Sequence, residues 1–208
     1  MREIDLGELT GVLSERGRDA RRMTAIAGPP GAGKSTVAEM LAGLLNAAEP
    51  GSAAVFPMDG YHFDDMILNA RGWRPRKGAP HTFDVGGFAA MLTRLRANEE
   101  DEIAVPVFDR TIEIARNAAR FITRDVRHLI CEGNYLLLDR KPWSSLIFDT
   151  TVFLDVPFDE LQRRLRARWA ALDGEGLREK MEENDLPNAE LVVTASRPAE
   201  FVIRNVAP

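Results

Sequence analysis

Nine residues, Gly28-Pro29-Pro30-Gly31-Ala32-Gly33-Lys34-Ser35-Thr36, constrain this chain more than any other segment. They fit G-x-x-x-x-G-K-[ST], a phosphate-binding loop. Its glycines let the backbone wrap closely and turn N–H groups toward an anion. The helix that follows adds the positive end of its dipole. Lys34 can reach β- and γ-phosphates as a point charge, and Ser35 can coordinate Mg²⁺. The flanks agree with this reading. Residues 23–28 read as a short buried strand. Thr36 to Leu45 read as a helix, with Val37, Met40, Leu41, Leu44 and Leu45 at helical spacing. The chain is therefore expected to bind a nucleoside triphosphate, and only a strand–loop–helix unit presents such a loop.

Alternating strand and helix patterns run through the rest. An amphipathic N-terminal helix is expected over 3–20, with Ile4, Leu6, Leu9, Val12 and Leu13 apolar and a basic end from Arg16 to Arg22. Further strands are expected at 53–58, 103–108, 127–132, 151–156 and 201–206, the second as an edge strand because of Pro106. Helices are expected at Val85 to Asn98, capped by Asp84, then at Asp159 to Leu172 and about 175–184. Residues 61–84 read as irregular. The pattern implies a three-layer α/β domain with a mainly parallel sheet, its ligand at the carboxyl ends of the strands. With 208 residues, one domain over 1–208 is expected, with 1–21 as its N-terminal helix and about 159–184 as a lid.

Composition narrows the function classes. A net charge of -5 argues against wrapping nucleic acid. No apolar run approaches a membrane span, and no signal-peptide h-region is seen. Cys131 is the single cysteine, so no intrachain disulfide can form, and a cytoplasmic location is expected. His62, His81 and His128 show no metal-ligand spacing with one another or with Cys131.

Polar groups at strand ends supply the chemistry. Asp59, just past the second strand, could take a proton from an acceptor hydroxyl or hold Mg²⁺ through water, or it could be only a turn aspartate before Gly60. Glu132 ends a short apolar strand, a Walker B-like pattern that suits contact with magnesium or its water. Arg163, Arg164, Arg166 and Arg168 lie within two helical turns and could close over a triphosphate. Trp73, set among Arg71, Arg74, Arg76 and Lys77, could shape a pocket for an acidic or polyhydroxylated acceptor.

Taken together, GPPGAGKST, PMDGYHFDD, VPVFDR, ICEGNYLLL, the basic helix and ENDLPNAELV resemble the phosphoribulokinase/uridine kinase family of P-loop kinases, in the branch near bacterial-type pantothenate kinase. Small bacterial proteins of that branch are labelled fructokinase or fructose-transport-system kinase. The resemblance covers about residues 22–206. It implies a P-loop NTPase fold whose five-stranded sheet has the order 2-3-1-4-5, helices on both faces and a small lid. It implies ATP and Mg²⁺ as cofactors and a small-molecule acceptor, with no nucleic acid or membrane partner. A homodimer is left open. By position, the resemblance gives Lys34 and Ser35 to the phosphates and Mg²⁺, and Asp59 to general-base duty. Tyr61, His62, Asp84 and Arg110 fall in the acceptor pocket, with Glu132 beside the metal. Arg164 and Arg168 become the lid arginines, and Asn184, Pro187 and Asn188 lie near the adenine. The resulting expectation is an ATP-dependent phosphotransferase acting on an alcohol, with a sugar preferred and a nucleoside or pantothenate-like compound next. A P-loop ATPase without a small acceptor is the alternative of another class. Where family members often carry Tyr, this chain has Val107-Phe108-Asp109-Arg110, which removes a hydroxyl from the acceptor side.

Overall fold

A computed structural model describes residues 1–204. A six-stranded parallel sheet forms its centre. The strands are β1 (Arg2–Glu3), β2 (Arg22–Ala27), β3 (Ala53–Pro57), β6 (His128–Gly133), β7 (Thr150–Asp155) and β8 (Phe201–Arg204), in the order β1-β8-β7-β2-β6-β3. A separate antiparallel ribbon pairs β4 (Glu102–Asp109) with β5 (Ile114–Thr123). The helices are α1 (Leu6–Arg16), α2 (Lys34–Ala48), α3 (Asp65–Ala70), α4 (Val85–Ala97), α5 (Phe158–Arg168), α6 (Gly174–Arg178) and α7 (Leu186–Ala195). A π-helical segment, Glu179–Asp185, joins the last two.

The five expected sheet strands stand in the expected order, and the difference lies at their edges. Arg2–Glu3 does not begin a helix. It adds a sixth strand outside β8, in register with Phe201 and Val202. Helix α1 starts only at Leu6, where the Asp5 side chain accepts from the Glu8 amide at 2.8 Å. It stops at Gly17, where a Cβ would lie 2.0 Å from the His128 ring. Residues 205 and 206 of the expected last strand lie outside the described residues. The 103–108 segment is no edge strand of the main sheet. It pairs with β5, and its register shifts between Val105 and Val107, across Pro106. The ribbon leans on Gly60, where a Cβ would meet the Pro106 carbonyl oxygen at 2.9 Å.

Two apolar layers flank the sheet. On one face Leu41 and Leu45 of α2 and Leu9 and Leu13 of α1 pack on Ile26, Ile130 and Val152. On the other, Phe88, Leu92 and Leu95 of α4 pack with Phe56, Leu129 and Tyr135. Met40 and Leu44, at helical spacing with these positions, instead face outward and are about half exposed. Strand β2 sits in the middle and is buried from Met23 to Ala27, so the loop that follows it is anchored to the rigid centre of the sheet. No described helix is long and apolar enough to cross a membrane.

Candidate active site

Register explains why the strand ends converge. Ala27 pairs with Gly133 and Ile26 with Glu132, which in turn pairs with Pro57. The phosphate-type loop, Glu132 and Asp59 are therefore neighbours along one edge of the sheet. They line a cleft of about 700 Å³, a size typical of small-ligand sites.

The loop leads into α2 without a side-chain cap. Gly33 occupies the N-cap with φ 86° and no side-chain hydrogen bond. Gly31 is also left-handed, at φ 80°, a conformation open to glycine at little cost. The first amides of this 15-residue helix thus lack the partner that a Ser or Asp cap supplies elsewhere, and an anion can serve them instead. Lys34 is buried. Its ammonium donates to the Pro29 carbonyl at 2.9 Å. Burial lowers its pKa to about 8, against the raising influence of Glu132 and Asp59. A buried ammonium so disfavoured gains when an anion arrives.

Glu132 is 5% exposed. Burial, and then the Asp59 carboxylate, push its carboxyl above the usual range, while Lys34, Arg110 and a hydrogen bond with Ser35 oppose the shift. Asp59 lies in the 3₁₀ turn Met58–Tyr61. Its Oδ2 accepts from Arg110 Nη2 at 3.0 Å, and Oδ1 makes no hydrogen bond among the described residues. His62 Nδ1 lies 2.8 Å from the Asp59 carbonyl, which can only accept, so the proton sits on Nδ1. Burial lowers the His62 pKa. The ring packs at a tilt against Phe83 and Phe108, with centroids at 4.0 and 4.7 Å.

The far wall comes from α5 and the π-helical segment. Arg164 donates to Glu160 at 2.6 Å, and Arg168 lies over the Trp169 ring at 5.2 Å. Both arginines line the cleft. Trp169 Nε1 donates to Asp185 at 2.8 Å. Asn184 donates to the Lys77 carbonyl at 2.8 Å, and Asn188 to Asn184 at 3.0 Å.

The expected site residues separate into two groups. The cleft gathers Pro30, Gly31, Gly33, Lys34, Ser35 and Thr36 with Asp59, His62, Arg110 and Glu132, and faces them with Arg164, Arg168, Asn184 and Asn188. Six others do not line it. Gly28, Pro29 and Ala32 shape the loop from behind, and Ala32 is fully buried. Tyr61 packs edge-on against Phe56 and Phe88 at the core. Asp84 caps α4, accepting from the Gly87 amide at 2.8 Å. Pro187 also stays out of the lining, as the second residue of α7 directly after the π-helical segment. Tyr61, Asp84 and Pro187 thus stand outside the lining of the cleft.

Other lining residues had no individual role assigned from the sequence. Phe108 and Glu113 enter through the ribbon, Trp169 from the end of α5, Lys180 and Asp185 from the π-helical segment, and Lys77 from the basic loop. The region 61–84 is also less irregular than its composition suggests. Asp64 caps α3, and Lys77 is held by Asp65 at 2.6 Å rather than lying free in a basic loop.

No family profile matches the chain. Relatives do. "Uncharacterized protein YggC" of Escherichia coli K12 is 34% identical over 192 residues, 88% of this chain and 77% of that one. A Schizosaccharomyces pombe protein named "Putative uridine kinase C227.14" is 32% identical over 185 residues, 83% and 78% of the two chains. A solved structure from Silicibacter sp. TM1040, described as a "putative fructose transport system kinase", superposes with a TM-score of 0.87. It has 38% identity and covers 96% of this chain and 98% of that one.

Proposed function

This chain belongs to the phosphoribulokinase/uridine kinase family of P-loop kinases, and from that premise we propose that it transfers the γ-phosphoryl group of ATP to a hydroxyl of a small molecule. The uncapped start of α2 carries the proposal. A buried lysine and free helical amides at the bottom of a polar cleft suit a polyphosphate and little else.

Lys34 and the loop amides would hold the β- and γ-phosphates. Mg²⁺ fits the hard-oxygen set of Ser35 and Glu132, with Asp59 close by. It would supply neutralisation of charge developing on the phosphate oxygens. Asp59 would take the proton of the acceptor hydroxyl as its oxygen bonds to the γ-phosphorus and the bond to the ADP oxygen breaks. Arg164 and Arg168 would stabilise the moving charge from the lid. Asn184 and Asn188 would border the base. His62 and Arg110 would line the acceptor half, where the neutral His62 Nε2 can accept from a hydroxyl. A lid of about 159–184 in a single domain over 1–208 would exclude water, which otherwise competes as acceptor.

The 38% identity to the Silicibacter protein favours a sugar as acceptor, with a nucleoside or pantothenate-like alcohol next. A reducing cytoplasm suits the buried thiol of Cys131. The test is coupled ADP release across a panel of sugars, nucleosides and pantothenate, with Asp59→Asn as control. Release should rise with one class and fall in the variant. Release that rises with none would move the protein to the acceptor-free ATPase reading.

A further inference from the structure

Glu113 lies in the turn of the β4–β5 ribbon and has no part in the chemistry above. Three cations from two other segments meet on it. Arg74 Nη2 lies 3.2 Å from its Oε2, and Lys180 Nζ lies 3.9 Å from its Oε1. The Lys77 ammonium donates to its carbonyl oxygen. Arg74 and Lys77 belong to the loop that forms the acceptor side of the cleft, and both also bind Asp65, at 2.8 and 2.6 Å. Lys180 belongs to the π-helical part of the lid and lies over the Trp169 ring at 5.0 Å.

The backbone supports a specific role. Glu113 has φ 53°, left-handed for a residue with a full side chain. Such a conformation is held only by its surroundings. Here the residue closes the ribbon turn, and cations meet both its carboxylate and its carbonyl. A second tie runs the other way, since Asn184 of the π-helical segment donates to the Lys77 carbonyl. Lys77 is thus gripped at its ammonium by the ribbon and at its carbonyl by the lid. π-Helical turns are uncommon and occur often at functional sites.

We propose that Glu113 is a positioning residue that couples the lid to the acceptor-side loop, so that the lid closes only when residues 74–77 are in place. The names of the two halves rest on the kinase reading; the linkage does not. In this arrangement the ribbon is the hinge block between the two binding halves. An acceptor that orders Lys77 also orders Lys180 through Glu113, and by reciprocity an ordered lid favours the acceptor-side loop.

Hydrogen–deuterium exchange on the full chain, without ligand, tests this directly. Glu113→Gln should speed exchange about fivefold in both 72–78 and 179–185 while β2 and β6 stay unchanged. Lys180→Met, a change in the lid alone, should speed exchange in 72–78. Glu113→Asp, which keeps the charge, should restore most of the protection that Glu113→Gln removes. Faster exchange confined to 109–116 in Glu113→Gln would overturn the proposal. So would unchanged exchange at 72–78 in Lys180→Met. Both results are readable whether or not any acceptor is ever phosphorylated.

Discussion

The two ends of the parallel sheet make an instructive contrast. Each carries a concavity rich in arginine. At the carboxyl ends of the strands lies the 700 Å³ cleft. At the opposite ends a smaller one, of about 440 Å³, is lined by Arg18, Arg21, Arg124 and Arg127 among others. Composition alone would make both anion sites. Hydrogen bonding separates them. Arg21 donates to the carbonyls of Val126, Leu95 and Thr123 at 2.7, 2.9 and 2.6 Å. Arg124 reaches the Glu99 carbonyl at 2.7 Å, and Arg127 pairs with Glu49. Arg21 and Arg124 thus stitch loops together through backbone carbonyls, and Arg127 is tied to a carboxylate. In the larger cleft, by contrast, the start of α2 keeps amides uncapped. Arg110 there donates to Asp59, whose other carboxylate oxygen makes no hydrogen bond among the described residues. A charged concavity becomes a site when its polar groups retain capacity for a ligand.

Mutations at the two ends should therefore fail in different ways. The largest effect is expected from Lys34→Ala. Loss of the cation at the phosphates should lower turnover by roughly 10³-fold, measured as ADP release, with melting temperature maintained. Asp59→Asn comes next. It should cost roughly 10²-fold in turnover while ATP titration shows nearly unchanged affinity; wild-type turnover would remove the general-base role. At the other end, Arg21→Met should leave activity per folded molecule intact but orphan several buried carbonyls. Urea unfolding should register a loss of about 2–4 kcal/mol. If turnover fell and stability held, the contrast between the two ends would collapse.

Glu132 gives a pH signature. Its folded-state pKa is raised by burial and by Asp59, and the metal-side role needs the carboxylate. Turnover should therefore rise with pH through a point above the ordinary carboxylate range and fall below it. Stability runs oppositely. A carboxyl raised in the folded state contributes stability that is present below its unfolded pKa and lost as pH rises through its folded pKa. Melting temperature against pH should show that decline in the parent and not in Glu132→Gln. The smallest effect belongs to Arg18→Ala, on the exposed rim of the second concavity. It should shift stability by less than about 0.5 kcal/mol, and a larger loss of nucleotide binding would show that this end also takes part.

Legibility in the sequence followed the range of the interactions. Gly31, Gly33, Lys34 and Ser35 were readable because a strand, a turn and a helix in continuous chain create the loop. The order of five strands, which the family resemblance implied rather than the residue pattern, also agreed. The expected N-terminal helix lost Arg2–Glu3 because only a distant partner, β8, could recruit two residues into a sheet. Tyr61 and His62 are adjacent and equally suited to a pocket. Core packing against Phe56 and Phe88 took the first and left the second in the cleft. Glu113 and Lys77 lie 36 residues apart, and no local pattern announces the ribbon register that joins them.

By itself, then, the sequence determined the alternation of strands and helices, the phosphate-type loop and the carboxylates that follow two of the strands. Each depends on neighbours within a few residues, where propensity and periodicity act. Tertiary structure alone decided which arginines bind carbonyls and which meet carboxylates, which of Tyr61 and His62 faces the cleft, and how Glu113 ties ribbon, loop and lid. Those outcomes turn on burial and on partners supplied by remote segments, and such partners exist only once the chain has folded.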